Sequence, residues 1–236
     1  MHTEVYADRT ELARVAAARI GAWLRDEGHG TLGLAGGSTP RLTYEFLRSE
    51  DVPWEQTHVW LTDERHVPIN HEDSNGGMAL KALLSHVPAR FHPVEYNEGA
   101  AVSAVRYERE LDDVWSSTGS ERGLGLMLLG LGDDGHTASL FPGTKALEEQ
   151  DRYYVANWVD DLSTWRLTAT LPLLARADQL IFLVAGEDKA QVVAQILEQK
   201  SNHPAATVGR ASVDTVWMLD RAAASCLSGR CSSDAG

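Results

Sequence analysis

The sequence predicts an α/β protein, with a mainly parallel β-sheet covered by helices on both faces. Three observations carry this. Short apolar runs that read as buried strands alternate with longer segments of helical spacing along most of the chain. Glycine-rich or charged turns end several of those runs, as the C-terminal ends of parallel strands require. The 236 residues, 43% hydrophobic and 23% charged, give room for a full core of ordinary globular composition.

The elements follow in order. Residues 10–27 place Leu12, Val15, Ala16, Arg19, Ile20, Trp23 and Leu24 near helical spacing, with Thr10 as N-cap and Gly28 just past the end. The period then changes. Thr31-Leu32-Gly33-Leu34-Ala35 reads as a buried strand, and Gly36-Gly37-Ser38-Thr39-Pro40 as a tight turn into a helix with Pro40 at its first position. Residues 58–62 form a strand ending in Asp63-Glu64-Arg65-His66, Ser74 caps a helix to Leu84, and residues 100–115 form a longer helix. A strand over 125–129 runs into Gly130-Leu131-Gly132-Asp133-Asp134-Gly135-His136, from which a short helix is expected to open. Residues 152–157 and 166–171 read as strands separated by a loop; a strand over 179–185, a helix over 189–199 and a strand over 215–219 complete the count. One domain over residues 1–225 follows, with a flexible tail over 226–236 that holds both cysteines, Cys226 and Cys231.

Composition excludes several function classes. The formal net charge of −13, with Lys and Arg scattered, argues against a nucleic-acid partner, because phosphate-backbone binding needs a basic face. The cysteine spacing suggests no metal site. No apolar run approaches the roughly 18 residues of a membrane span, and the N-terminus lacks a basic start and an apolar signal core. A cytoplasmic protein with no membrane partner is expected.

The motifs point to an anion and to acid–base chemistry. Glycines at Gly36 and Gly37 allow close backbone approach, and the amides and positive dipole end of the following helix suit a phosphate, with Ser38 and Thr39 hydroxyls beside them. The same turn also reads as a capped strand-to-helix connection. Gly130, Gly132 and Gly135 satisfy G-x-G-x-x-G, but Asp133 and Asp134 would repel a pyrophosphate and the motif falls past mid-chain, so dinucleotide binding is rejected. Asp134-Gly135-His136 offers an imidazole base with a carboxylate beside it, the bland alternative being a helix cap and a packed histidine. The 63–66 segment would project its charges from the same sheet edge, and Arg166 and Lys189, each at an element boundary, could reach an anion. Ser139 lacks the G-x-S-x-G elbow of a nucleophile.

Taken together, Ala35 to Pro40, Thr62-Asp63-Glu64-Arg65-His66-Val67-Pro68, Asp73-Ser74-Asn75, Gly130 through Gly143, Arg166-Leu167-Thr168 and Gly186-Glu187-Asp188-Lys189-Ala190 resemble, in order, the glucosamine-6-phosphate isomerase/6-phosphogluconolactonase family. The resemblance reaches from the first helix to about Ala223. The Gly-x-Gly-x-Asp-Gly-His-x-Ala-Ser-Leu-Phe-Pro-Gly form is similar to the lactonase branch. It implies a modified Rossmann-like fold, no redox cofactor, and hydrolysis of the 6-phosphogluconate lactone in the pentose phosphate pathway by a monomer or weak homodimer. Carried over by motif, Gly36, Gly37, Ser38, Thr39, Arg166 and Lys189 would hold the sugar phosphate, while Asp63, Arg65 and Asn75 would line the sugar. His136 would activate water, with Asp134 or Asp63 orienting it and Arg65 or a glycine-loop amide stabilising the oxyanion. An isomerase or deaminase on the same scaffold, and a non-catalytic sugar-phosphate sensor, are the rival readings.

Overall fold

The computed structural model describes residues 1–27, 30–96, 99–118, 124–199, 201–212 and 214–227. The chain opens with β1 (His2–Tyr6) and α1 (Arg9–Glu27), followed by β2 (Thr31–Leu34), α2 (Ser38–Leu47), β3 (His58–Leu61) and β4 (Asp63–Arg65). Next come α3 (Asn75–Ala79), which runs on into a π-turn over Leu80–Leu84, then β5 (Arg90–Phe91), α4 (Ala100–Thr118) and β6 (Leu126–Leu129). The C-terminal part holds β7 (Tyr154–Val159), β8 (Thr164–Ala169), α5 (Leu171–Leu174), β9 (Gln179–Val184), α6 (Ala190–Glu198), α7 (Pro204–Ala211) and β10 (Thr215–Asp220).

Seven strands form one sheet in the order β1-β10-β9-β6-β2-β3-β5, with every pairing parallel. Every residue of β2, β6 and β10 is buried, which requires cover on both faces and explains why these strands read as unbroken apolar runs. Trp60, Trp217 and Phe182 are the largest side chains sealed in that core, together with Tyr44, Tyr107 and Tyr154. The chain order reverses between β2 and β6: β2 leads outward to β3 and β5, while β6 leads the other way to β9 and β10. In open α/β sheets a ligand crevice lies at such a reversal, outside the C-terminal strand ends, where the loops of neighbouring strands part to opposite faces.

The two strands expected either side of a loop are present as β7 and β8, shifted by two residues, and they pair antiparallel with each other and with β4 in a second sheet. Thr62 links the two sheets. Its N–H donates to Leu34 O at 2.9 Å and its carbonyl accepts from Ala169 N at 2.8 Å, so the strand that begins as β3 leaves the parallel sheet and enters the small one as β4. Asp63 therefore stands at the seam.

Several local expectations are corrected. Asp8, not Thr10, caps α1, its Oδ1 accepting from Thr10 N at 2.8 Å and Glu11 N at 2.9 Å. Pro40 is the third residue of α2, since the helix begins at Ser38; an amide there has no intrahelical partner either, so proline is tolerated. No helix opens at His136. The 131–144 segment is a chain of turns closed by a bridge between Thr137 and Leu140. Of the tail expected over 226–236, Cys226 and Leu227 are described: Cys226 is disulfide-bonded and buried against Ala190 and Ala194, with Leu227 packed beside it. Residues 228–236, and with them Cys231, lie outside the described residues.

Candidate active site

The loops after β2, β3, β6 and β9, four adjacent strands, converge on a cleft of about 330 Å³ at the chain reversal. Each loop brings a different chemistry. From β2 comes the Gly36-Gly37 turn, with Gly37 as the N-cap of α2 and no side chain capping the helix, so the Ser38 and Thr39 N–H groups keep their donors at the cleft wall. Gly36 is required by close approach: a Cβ there would lie 2.0 Å from Asn75 Oδ1. The Tyr44 hydroxyl pins the turn from behind, accepting from Ala35 N at 2.9 Å and donating to Ala35 O at 2.8 Å.

The β3–β4 segment supplies Asp63 and Arg65. Asp63 is 9% exposed and accepts from Ser139 Oγ at 2.8 Å and, at 3.3 Å, from Asn75 Nδ2. Arg65 Nη1 donates to Asn75 Oδ1 and to Asp73 O. Asn75 is thus fixed between a carboxylate and a guanidinium with its side chain in the cleft wall. Beneath it lies Glu64, which charge runs in the sequence gave no reason to single out. Its carboxylate is 4% exposed and accepts four hydrogen bonds: Oε1 from Arg65 N and Asn75 N, both at 2.7 Å, and Oε2 from Ser74 Oγ at 2.9 Å and Gly76 N at 2.8 Å. Burial pushes this carboxyl above the ordinary range, and the four donors pull against it. Ser74 also caps α3 as expected, accepting from Gly77 N at 2.9 Å.

From β6 comes the turn that carries His136. Asp134 Oδ1 accepts from the His136 amide at 3.0 Å and faces Nδ1 at 2.6 Å, which selects Asp134 over Asp63 as the group that orients the ring. Burial works to raise the Asp134 carboxyl, but the His136 amide and the His136 charge outweigh it, and the result lies below the ordinary value. Phe141 stacks on the imidazole, with centroids 4.0 Å apart and planes 27° apart. The turn needs glycine at Gly135, whose φ of +78° is left-handed and whose Cβ would lie 2.2 Å from the His203 ring. Ser139 is 1% exposed and its hydroxyl is committed to Asp63, so it stands as a support of the cleft and not as a nucleophile.

From β9 comes Lys189, whose Nζ pairs with Asp133 Oδ1 and lies 3.4 Å from Asp188 Oδ2. The structure thus brings Gly36, Gly37, Ser38, Thr39, Asp63, Arg65, Asn75, His136 and Lys189 to one cleft. Two expected residues stand outside its lining. Asp134 touches it only through His136, and Arg166 sits on β8 opposite Arg65, where burial first and the Arg65 charge second depress its guanidinium. Its Nε is buried with no hydrogen-bond partner. Among the described residues no group of three or more His, Cys, Asp or Glu is arranged to hold a metal ion, and no helix is long and apolar enough to cross a membrane.

Residues 7–217 match the family model for glucosamine-6-phosphate isomerases/6-phosphogluconolactonase. The chain belongs to this family. A 6-phosphogluconolactonase of Nostoc sp. is 37% identical over 237 residues, spanning 95% of this chain and 98% of the relative. A Synechocystis 6-phosphogluconolactonase is 39% identical over 213 residues, spanning 87% and 88%. The solved 6-phosphogluconolactonase from Trypanosoma cruzi superposes with a TM-score of 0.85 at 28% identity, covering 96% of this chain and 97% of that one.

Proposed function

We propose that this chain hydrolyses 6-phospho-D-glucono-1,5-lactone to 6-phospho-D-gluconate, with His136 as general base on the attacking water. One observation carries the mechanism. His136, held by Asp134, lines the same cleft as an uncapped helix N-terminus and Lys189, so a base and an anion anchor share one substrate-sized space. The lactonases of Nostoc and Synechocystis, alike over nearly the whole chain, supply the substrate class.

The chemistry follows from the tautomer. A carboxylate against Nδ1 keeps a proton there, which leaves the Nε2 lone pair for water. As Nε2 takes the water's proton, the hydroxide oxygen adds to the lactone carbonyl carbon. The tetrahedral intermediate then collapses, the carbonyl carbon to ring oxygen bond breaks, and the imidazolium returns its proton to the leaving ring oxygen. Asp134 stabilises the cation between the two steps. The Gly132 and Gly135 amides are spent inside the loop, on His136 O at 2.9 Å and Gly132 O at 3.0 Å, which favours Arg65 as the oxyanion donor. Ser38, Thr39 and Lys189 hold the phosphate over the Gly36-Gly37 turn, and Asp63 and Asn75 meet the sugar hydroxyls. Arg166 adds positive potential from beside Arg65. A positioned base contributes roughly 10²–10⁴-fold and one oxyanion donor roughly 10²–10³-fold, which suffices for an ester already activated by its ring.

The test is proton release from freshly made 6-phosphogluconolactone, corrected for spontaneous opening. Turnover well above the uncatalysed rate is expected. No acceleration, or ammonia release from glucosamine 6-phosphate in its place, would overturn the reading.

A further inference from the structure

Lys189 is, beside Arg65, a cation the cleft offers an incoming anion, and it already has carboxylates at hand: Asp188 of its own turn at 3.4 Å and, in closer contact, Asp133 of another loop. Its Nζ pairs with Asp133, which stands on the β6 loop immediately before Asp134 and 56 residues away in sequence. Asp133 is no part of the core: its side chain is 75% exposed, while Lys189 is 20% exposed. A carboxylate so placed adds little to stability, since solvent screens an exposed ion pair and holding the two side chains together costs entropy. It acts instead on whatever else binds Lys189.

We propose that Asp133 is an internal counter-anion for Lys189 that competes with phosphorylated ligands for the ammonium and so sets their affinity. This rests on the lactonase reading above. The ammonium has three donors, so a phosphate can share it with Asp133, but the two anions then face each other across one cation. Substrate and product both carry this penalty at the phosphate. When the ligand leaves, Asp133 recovers Lys189. Asp133 touches no reacting atom; it works through Lys189, as a residue that sets affinity.

The experiment is direct binding of 6-phosphogluconate and of inorganic phosphate to wild type, Asp133→Asn, Lys189→Met and the double variant Asp133→Asn/Lys189→Met, by calorimetry at two ionic strengths, alongside KM for the lactone. Asp133→Asn is expected to tighten 6-phosphogluconate by about 5-fold, the scale of an exposed charge near an anion, and to lower KM for the lactone. The gain is expected to shrink in high salt, because an exposed charge is screened, and to vanish when Lys189 is Met. Unchanged or weakened product affinity in Asp133→Asn, or a gain that persists without Lys189, overturns the proposal. A wild type that binds neither 6-phosphogluconate nor inorganic phosphate sinks the functional reading itself, so the two failures are told apart. Equal melting temperatures for wild type, Asp133→Asn and Lys189→Met separate the effect from a loss of fold.

Discussion

Replacing Asp134 by Asn separates what the carboxylate does for His136 by geometry from what it does by charge. One oxygen, Oδ1, accepts from both the His136 amide at 3.0 Å and Nδ1 at 2.6 Å. An Asn side chain must keep its own Oδ1 on those two donors, because turning Nδ2 toward them would set donor against donor. The tautomer is therefore retained, with Nε2 still free, and only the charge is lost. The difference between a charge-assisted and a neutral hydrogen bond at this half-exposed site is about 1–1.5 kcal/mol, which corresponds to roughly a 10-fold fall in kcat. Initial rates of proton release at saturating lactone read the loss. A kcat within 2-fold of wild type would refute the orienting role, and a loss near the roughly 10⁴-fold of a missing base would refute the argument that the tautomer survives.

Other outcomes follow from the same geometry. His136→Ala is expected to lower kcat by roughly 10²–10⁴-fold while 6-phosphogluconate still binds, measured by steady-state rates and calorimetry. Gly135→Ala sets a Cβ on a backbone at φ +78° and 2.2 Å from the His203 ring, and is expected to cost at least about 2 kcal/mol of stability. Combining it with His203→Ala relieves the clash but not the backbone strain, so thermal denaturation should show partial rescue. Glu64→Ala leaves three backbone amides and the Ser74 hydroxyl without their acceptor; a loss of about 3–5 kcal/mol, read as a fall in Tm of roughly 10 °C, is expected, together with a raised KM as Asn75 and Arg65 lose their support.

Local signals carried most of the frame and the individual motifs. The interior strands were legible because burial on both faces leaves an unbroken apolar run, and the turns because glycine and proline stand where few other residues fit. β1 and β5 escaped, the first because it lies at the sheet edge with alternating exposure, the second because two residues make no pattern. The β7–β8 hairpin was read as two strands, but its membership of a separate sheet depends on β4, about a hundred residues earlier, and so on a pairing with no local mark. The helix at Pro204–Ala211 was missed outright.

For the candidate site, residue types at strand ends pointed to the Gly36 turn, the 63–66 segment, His136 and Lys189, since a chain alternating strand and helix must place those ends on one edge; Asn75 came from the family resemblance. The choice between Asp134 and Asp63 as partner of His136 was open in the sequence and is decided by a 2.6 Å contact. Arg166 fits the motif yet lies outside the cleft lining, because antiparallel pairing sets it beside Arg65 on the next strand, one step further from the loops of the parallel sheet. Glu64, Asp133 and His203 gave no local signal, since the role of each lies in a partner distant in sequence: the α3 amides, Lys189 and Gly135. Sequence by itself determined which groups this protein can bring to a substrate, because backbone period and turn chemistry are local. Only the tertiary structure decided which of those groups touch, because contact between loops is set by strand order and register, which no short stretch of chain records.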